Sequence, residues 1–144
     1  MTQQSGSPAS SGGDVESRTL LVEGGHVLRG RIDVEGNKNA ALPMLAACLL
    51  TDEVCELTNV PRIRDVGVMI ELLESLGAEV TGAGSTTVTV RCAEVSGTEP
   101  DARLVGRLRG SVLLVGPLLA RTGSVRLPPP GGDFPGRRTL TSHL

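Results

Sequence analysis

The chain has 144 residues, enough for one domain with its own core, and a single aromatic residue, Phe134. A core built from Leu, Val, Ile and Ala suits α/β packing, in which parallel strands read as short aliphatic runs covered by Leu/Ala helices. It excludes nucleic-acid modules that stack bases on aromatic platforms. The net charge of −2 conceals an asymmetry, because residues 1–101 carry 7 basic against 15 acidic side chains while residues 102–144 carry 7 arginines against Asp133 alone.

Residues 1–17 are rich in Ser, Gly and Gln and lack the basic start and apolar run of a secretion signal, so residues 1–18 read as a disordered tail. Residues 19–23 and 31–35 read as two strands of a hairpin punctuated by Gly24, Gly25 and Gly30. Residues 39–50 are apolar nearly all round, which predicts a buried helix. Asn37 or Asn39 is available as its N-cap, with Pro43 close to the first turn.

Residues 54–60 form a predicted strand ended by Pro61. From Arg62 to Leu76 the periodicity is that of an amphipathic helix, with Ile63, Val66, Met69, Ile70, Leu73 and Leu76 on one face and Arg62, Glu71 and Glu74 on the other. Asp65 falls in its first turn and Gly77 at its end. Residues 78–81 and 86–91 predict a hairpin around Gly82-Ala83-Gly84-Ser85, with Val88, Val90 and Cys92 facing inward.

A polar loop at 95–100 leads to a second buried helix, 104–120, which Gly116-Pro117 should bend or split. Its apolar positions are Leu108, Val112, Leu113, Val115, Leu118 and Leu119. A short strand at 124–127 precedes three prolines and the run Pro130-Gly131-Gly132-Asp133-Phe134-Pro135-Gly136-Arg137-Arg138, and 138–144 reads as the start of another helix. Strands joined by crossover helices make an α/β fold.

Cys48, Cys55 and Cys92 have no metal-ligand spacing and lie in apolar contexts, as buried reduced thiols do. No apolar stretch approaches the ~18 residues that span a bilayer. The reading is of a cytoplasmic protein that takes small-molecule substrates, with no nucleic-acid or membrane partner.

Two runs can carry chemistry. Lys38, the only lysine of the chain, lies in Gly36-Asn37-Lys38-Asn39-Ala40-Ala41-Leu42-Pro43 at a helix entry, where free N–H groups and the positive dipole end favour an anion. A surface lysine beside a cap is the plainer account of the same residues. Asp133 stands between glycines and two arginines, as a turn residue would. As a proton donor it would need burial or a substrate anion to hold its proton. Arginine forks suit phosphate or carboxylate groups, although Arg103, Arg107, Arg121 and Arg126 are equally accounted for as solvated helix faces. Nothing else has the pattern of a metal site, and no cofactor is implied.

The Gly36–Pro43 run closely resembles the lysine–asparagine motif of the UDP-N-acetylglucosamine 1-carboxyvinyltransferase family of enolpyruvyl transferases. Arg109-Gly110-Ser111 with Gly116-Pro117-Leu118-Leu119-Ala120-Arg121 is similar to its next helix motif, and residues 127–138 to its catalytic loop. The similarity runs from about Leu20 to Leu144. It implies an inside-out α/β barrel of repeated βαβαββ units, incomplete here, with residues 19–36 belonging with a second domain and 37–144 forming the first part of the transferase domain.

The resemblance also implies a reaction, the transfer of the enolpyruvyl group from phosphoenolpyruvate to the 3-hydroxyl of UDP-N-acetylglucosamine at the start of peptidoglycan synthesis. Lys38 and Asn39 would contact phosphoenolpyruvate. Arg109, Arg138, Thr139, Leu140, Thr141 and Ser142 would line the sugar-nucleotide site, and Asp133 would be the proton donor on a mobile loop. Most of the family has Cys where this chain has Asp133, which implies insensitivity to the thiol-alkylating epoxide fosfomycin. Thr139 and Thr141 replace the usual Pro and Asp, so enolpyruvyl transfer to another nucleotide acceptor in secondary metabolism is a rival reading. A non-catalytic anion-binding fragment is another. The general base would come from the remainder of the enzyme chain, beyond Leu144, and the polypeptide alone would then be inactive.

Overall fold

A computed structural model describes residues 19–131 and divides the chain into two units, Met1–Ile32 and Asp33–Leu144. The predicted tail at 1–18 and the helix start at 138–144 lie outside the described residues. Residues 19–36 contain no strand, contrary to the predicted hairpin. Leu20, Leu21, Val22, Val27, Leu28, Ile32 and Val34 are 76–92% exposed. A two-stranded ribbon whose apolar face meets no second layer is marginal in water, which accounts for the missing ladder.

The second unit begins its regular structure at α1, Lys38–Ala47, continued by a 3₁₀ turn, Cys48–Leu50. Asn37 is the N-cap, its Oδ1 accepting from Asn39 N–H at 2.7 Å while its carbonyl accepts from Ala40 and Ala41. With the cap at Asn37, Pro43 is the sixth helical residue and not in the first turn, so it cannot donate to the Asn39 carbonyl. The helix buries Ala41, Leu42, Leu45 and Ala46 but exposes Pro43 and half of Met44. The all-round apolar sequence is therefore covered on one face only.

β1 is Cys55–Leu57, shorter than predicted because Asn59 turns the chain at φ 55. α2, Arg64–Ser75, follows the predicted stripe, burying Val66, Met69, Ile70 and Leu73 together with Val68 and Leu72. Ile63 precedes it as an exposed cap residue and leaves the stripe. The end is a Schellman turn, Gly77 N–H donating to Glu74 C=O and Ala78 N–H to Leu73 C=O, each at 3.0 Å.

β2, Glu79–Thr81, and β3, Val88–Arg91, form the predicted hairpin in antiparallel register, Val80 opposite Val90. Val88, Val90 and Cys92 are fully buried, as the alternation requires. The sheet order is β1-β3-β2 and both pairings are antiparallel. α2 does cross over between two strands of the same direction, but β3 lies between them, so the expected parallel pairing does not form. The hairpin reaches that central place through the short connection 82–87, whereas β1 and β2 can pair directly only by excluding it.

The predicted helix 104–120 is three pieces: α3, Ala102–Val105; a 3₁₀ segment, Arg109–Leu114; and α4, Val115–Thr122. The break falls at 106–108, where Leu108 turns extended and buries its side chain. Gly116-Pro117 instead lie in the first turn of α4, where a missing N–H is harmless. Leu114 and Leu118 are fully buried, whereas Leu113 and Leu119 are exposed. Residues 124–127 form no strand: Arg126 N–H donates to Thr98 C=O at 2.9 Å, and Val125 and Leu127 pack against the core without a ladder. One aliphatic cluster drawn from both long helices, β3 and the 105–118 region forms that core.

Candidate active site

Two cavities flank α1. The smaller, about 190 Å³, lies on the side of Ala40, Ala41 and Met44 and is closed by Leu57, Thr58, Asn59 and Val60. The larger, about 570 Å³, is lined by Lys38, Asn39, Leu42 and Pro43 from α1, by Asp65 from α2, and by residues 107–110, 112 and 113. Three of the residues singled out from sequence, Lys38, Asn39 and Arg109, therefore meet in one cleft although 70 positions separate the last two. Asp133, Arg138, Thr139, Leu140, Thr141 and Ser142 lie outside the described residues.

Local structure explains the convergence. Asn37 fixes the first turn of α1, which carries Lys38 and Asn39 to the cleft wall. Just before it, Gly36 runs so close to the Asn59 carbonyl that a Cβ would overlap that oxygen. Gly110 brings the 3₁₀ segment against Leu42 of α1, a Cβ there lying 2.9 Å from Leu42 Cδ1. The wall is thus drawn in tightly behind Arg109.

Two acids of α2 pair with cations of the cleft. Lys38 Nζ lies 2.9 Å from Asp65 Oδ2, the side chains 50% and 35% exposed. Arg107 lies 2.9 Å from Glu71 Oε2. The sequence singled out neither acid as part of a site, since both fit the polar face of an amphipathic helix. Arg107, equally accounted for as a solvated face, lines the cleft. Cationic side chains, amide groups and an apolar floor of Leu42, Pro43, Val112 and Leu113 can hold a small anionic ligand with an apolar part.

Other expected residues have structural roles. Arg121 does not solvate a helix face: its guanidinium donates to the carbonyls of Leu49 at 2.8 Å, Ala93 at 2.9 Å and Cys92 at 3.3 Å. Ser111, in the motif that begins at Arg109, is fully buried, and its Oγ has no hydrogen-bond partner among the described residues. Cys48 and Cys92 are buried thiols as expected, but Cys55, on an edge strand, is only half-buried. Burial, with Cys55 beside it, pushes the Cys48 thiol up to about 12, and burial raises Cys92 against the opposing pull of Arg121. No group of residues suited to a metal ion occurs among the described residues, nor any helix long and apolar enough to cross a membrane.

At the exit of the described chain, Gly131 N–H donates to Val105 C=O at 3.0 Å. A Cβ on Gly131 would overlap the Gly106 carbonyl, so only glycine permits this approach. The stem that leads to Asp133 is thereby pinned one residue from Arg107 of the cleft.

Comparison with known proteins places the chain among relatives. The family model described as EPSP synthase (3-phosphoshikimate 1-carboxyvinyltransferase) matches residues 22–144. The chain is 49% identical over 124 residues to a UDP-N-acetylglucosamine 1-carboxyvinyltransferase of Bradyrhizobium diazoefficiens, covering 86% of this chain and 29% of the relative. It is 42% identical over 126 residues to the protein of that name from Borreliella burgdorferi, covering 88% and 29%. Among solved structures it resembles the enolpyruvyl transferase NikO from Streptomyces tendae, with a TM-score of 0.61 and 30% identity over 69% of this chain and 23% of that one. The chain spans less than a third of the length of these relatives. Its fold and its sequence from residue 22 onward agree: the chain belongs to the EPSP synthase family of enolpyruvyl transferases.

Proposed function

We propose that this chain is the first part of an enzyme that transfers the enolpyruvyl group of phosphoenolpyruvate to the 3-hydroxyl of UDP-N-acetylglucosamine, the first committed step of peptidoglycan precursor synthesis. The observation that carries the reading is the meeting of Lys38, Asn39 and Arg109, drawn from separate motifs, in one cleft. The names of its curated relatives favour this acceptor over a free nucleotide. On this reading the enzyme works in the cytoplasm without a cofactor, and the described unit is part of an inside-out α/β barrel completed by the rest of the enzyme.

The sugar hydroxyl gives its proton to a base in the remainder of the enzyme as its oxygen attacks C2 of phosphoenolpyruvate and C3 takes a proton, giving a tetrahedral ketal. Loss of phosphate from C2 and of a proton from C3 restores the double bond. Lys38 and Asn39 hold the anionic groups of phosphoenolpyruvate at the start of α1, where the ammonium, the Asn39 side-chain amide and the positive end of the helix dipole stabilise charge as it moves to phosphate. Arg109, Arg138, Thr139, Leu140, Thr141 and Ser142 hold the sugar nucleotide, and Asp133 delivers the proton to C3. A carboxyl in that place stays protonated only when the closed, substrate-filled site is dry.

The test is phosphate release from phosphoenolpyruvate by a polypeptide of the relatives' full length carrying this sequence, against a panel of nucleotides and nucleotide sugars. Turnover is expected with UDP-N-acetylglucosamine and should persist in fosfomycin. Turnover confined to another acceptor would overturn the assignment.

A further inference from the structure

We infer that Asp65 is a positioning residue for Lys38, holding its ammonium at the cleft wall ready for the substrate anion. The inference rests on the reading in which Lys38 contacts phosphoenolpyruvate. Three observations carry it. Asp65 and Lys38 both line the 570 Å³ cleft, and their 2.9 Å contact joins the first turns of two helices across 27 residues. Stability is a poor reason for the pair, since ion pairs this exposed contribute little to it. The geometry also leaves capacity, for an ammonium carries three donors and the Asp65 contact is its one hydrogen bond among the described residues.

A lysine stem is flexible, and fixing it costs rotamer entropy whenever an anion is bound. With Asp65 in place the ammonium is already held by one N–H, and two remain for the ligand. Asp65 sits in the first turn of α2, a helix whose start has no side-chain cap, so its own carboxylate is favoured there by the helix dipole. The acid is therefore a fixed post and the lysine the arm that it steadies.

The two effects of removing the acid oppose each other, which makes the test specific. Losing a negative charge from the cleft favours binding of an anion, while losing the post loosens the ammonium in the transition state. In the full-length polypeptide, Asp65→Asn should lower kcat at least ~10-fold, the scale of a misplaced catalytic contact, while KM for phosphoenolpyruvate stays the same or falls. Asp65→Glu, which keeps the charge on a longer arm, should recover part of the kcat. A melting temperature close to that of the wild type in both variants separates positioning from folding.

An Asp65→Asn enzyme with kcat within twofold of wild type, or one whose only change is a lower melting temperature, would overturn the inference and leave the proposed reaction standing. Absence of phosphoenolpyruvate turnover by the wild type overturns the reaction and the inference together.

Discussion

The two ends of the α1 segment use a long cationic side chain in opposite ways. At its start, Lys38 stands half-exposed in the cleft and meets one carboxylate, leaving donors for a ligand. Past its end, Arg121 reaches from α4 to donate to three backbone carbonyls, tying the 3₁₀ turn at Leu49 to the chain leaving β3. The chemistry of the two cations explains the division. Ammonium is a compact charge on a mobile stem, easily shared with a passing anion, whereas guanidinium is a rigid fork whose several donors can be satisfied at once by fixed oxygens. Charge alone does not mark a functional residue. What marks it is whether the donors are already used.

The comparison predicts that damage at one end affects activity and damage at the other affects stability. The largest effect should follow Lys38→Ala in the full-length polypeptide, which should lower kcat/KM for phosphoenolpyruvate ~100-fold or more, as loss of one preorganised charge contact does, with an unchanged urea midpoint. A stability loss as large as the activity loss would erase the contrast. Arg121→Ala should do the reverse. Three carbonyls lose a charged donor together, and since such bonds are worth ~1.5–3 kcal/mol each and are not additive, a loss of about 3 kcal/mol in urea unfolding is expected with the specific activity of the folded fraction retained.

Ser111 sharpens the boundary between the two regions, because it adjoins the cleft in sequence yet is buried in the core. If its hydroxyl is only an unsatisfied group, Ser111→Ala should stabilise by ~1 kcal/mol without altering KM. A rise in KM for the sugar nucleotide would move Ser111 to the functional side. At neutral pH the smallest effect concerns the thiols. Cys48 has its folded value raised from 9.0 to about 12, so the unfolded chain loses that proton first as pH rises. Stability from this source is complete below pH 9 and declines as pH climbs from 9 toward 12, and Cys92, raised by burial, acts in the same direction. Thermal melts across that range should show the decline, and Cys48→Ala should flatten it.

Elements that depend on local pattern were legible in the sequence. The stripe of α2, its glycine-terminated end and the inward set Val88, Val90 and Cys92 follow from periods of 3.6 and 2 and from the one residue type that favours positive φ. Lys38 and Asn39 were visible as a capped helix start, and their resemblance to a family motif is what suggested a role for them. What the sequence could not show were the features that depend on distant partners. The helix at 104–120 breaks at 106–108, where Leu108 turns extended and buries its side chain, as well as changing from 3₁₀ to α just before Gly116-Pro117. The sheet sets β3 between β1 and β2, so the two strands that the crossover helix joins do not touch. Residues 31–35 have strand-like alternation, yet alternation becomes a ladder only when another surface covers its apolar side. Asp65 looked like a helix-start acid, Arg107 and Arg121 like solvated face residues; only the folded chain gave the first two a place on the cleft and the third a set of carbonyls. Side-chain periodicity fixes which face of an element is apolar, and tertiary contacts decide what meets it, because burial and charge pairing act between residues that the chain separates by tens of positions.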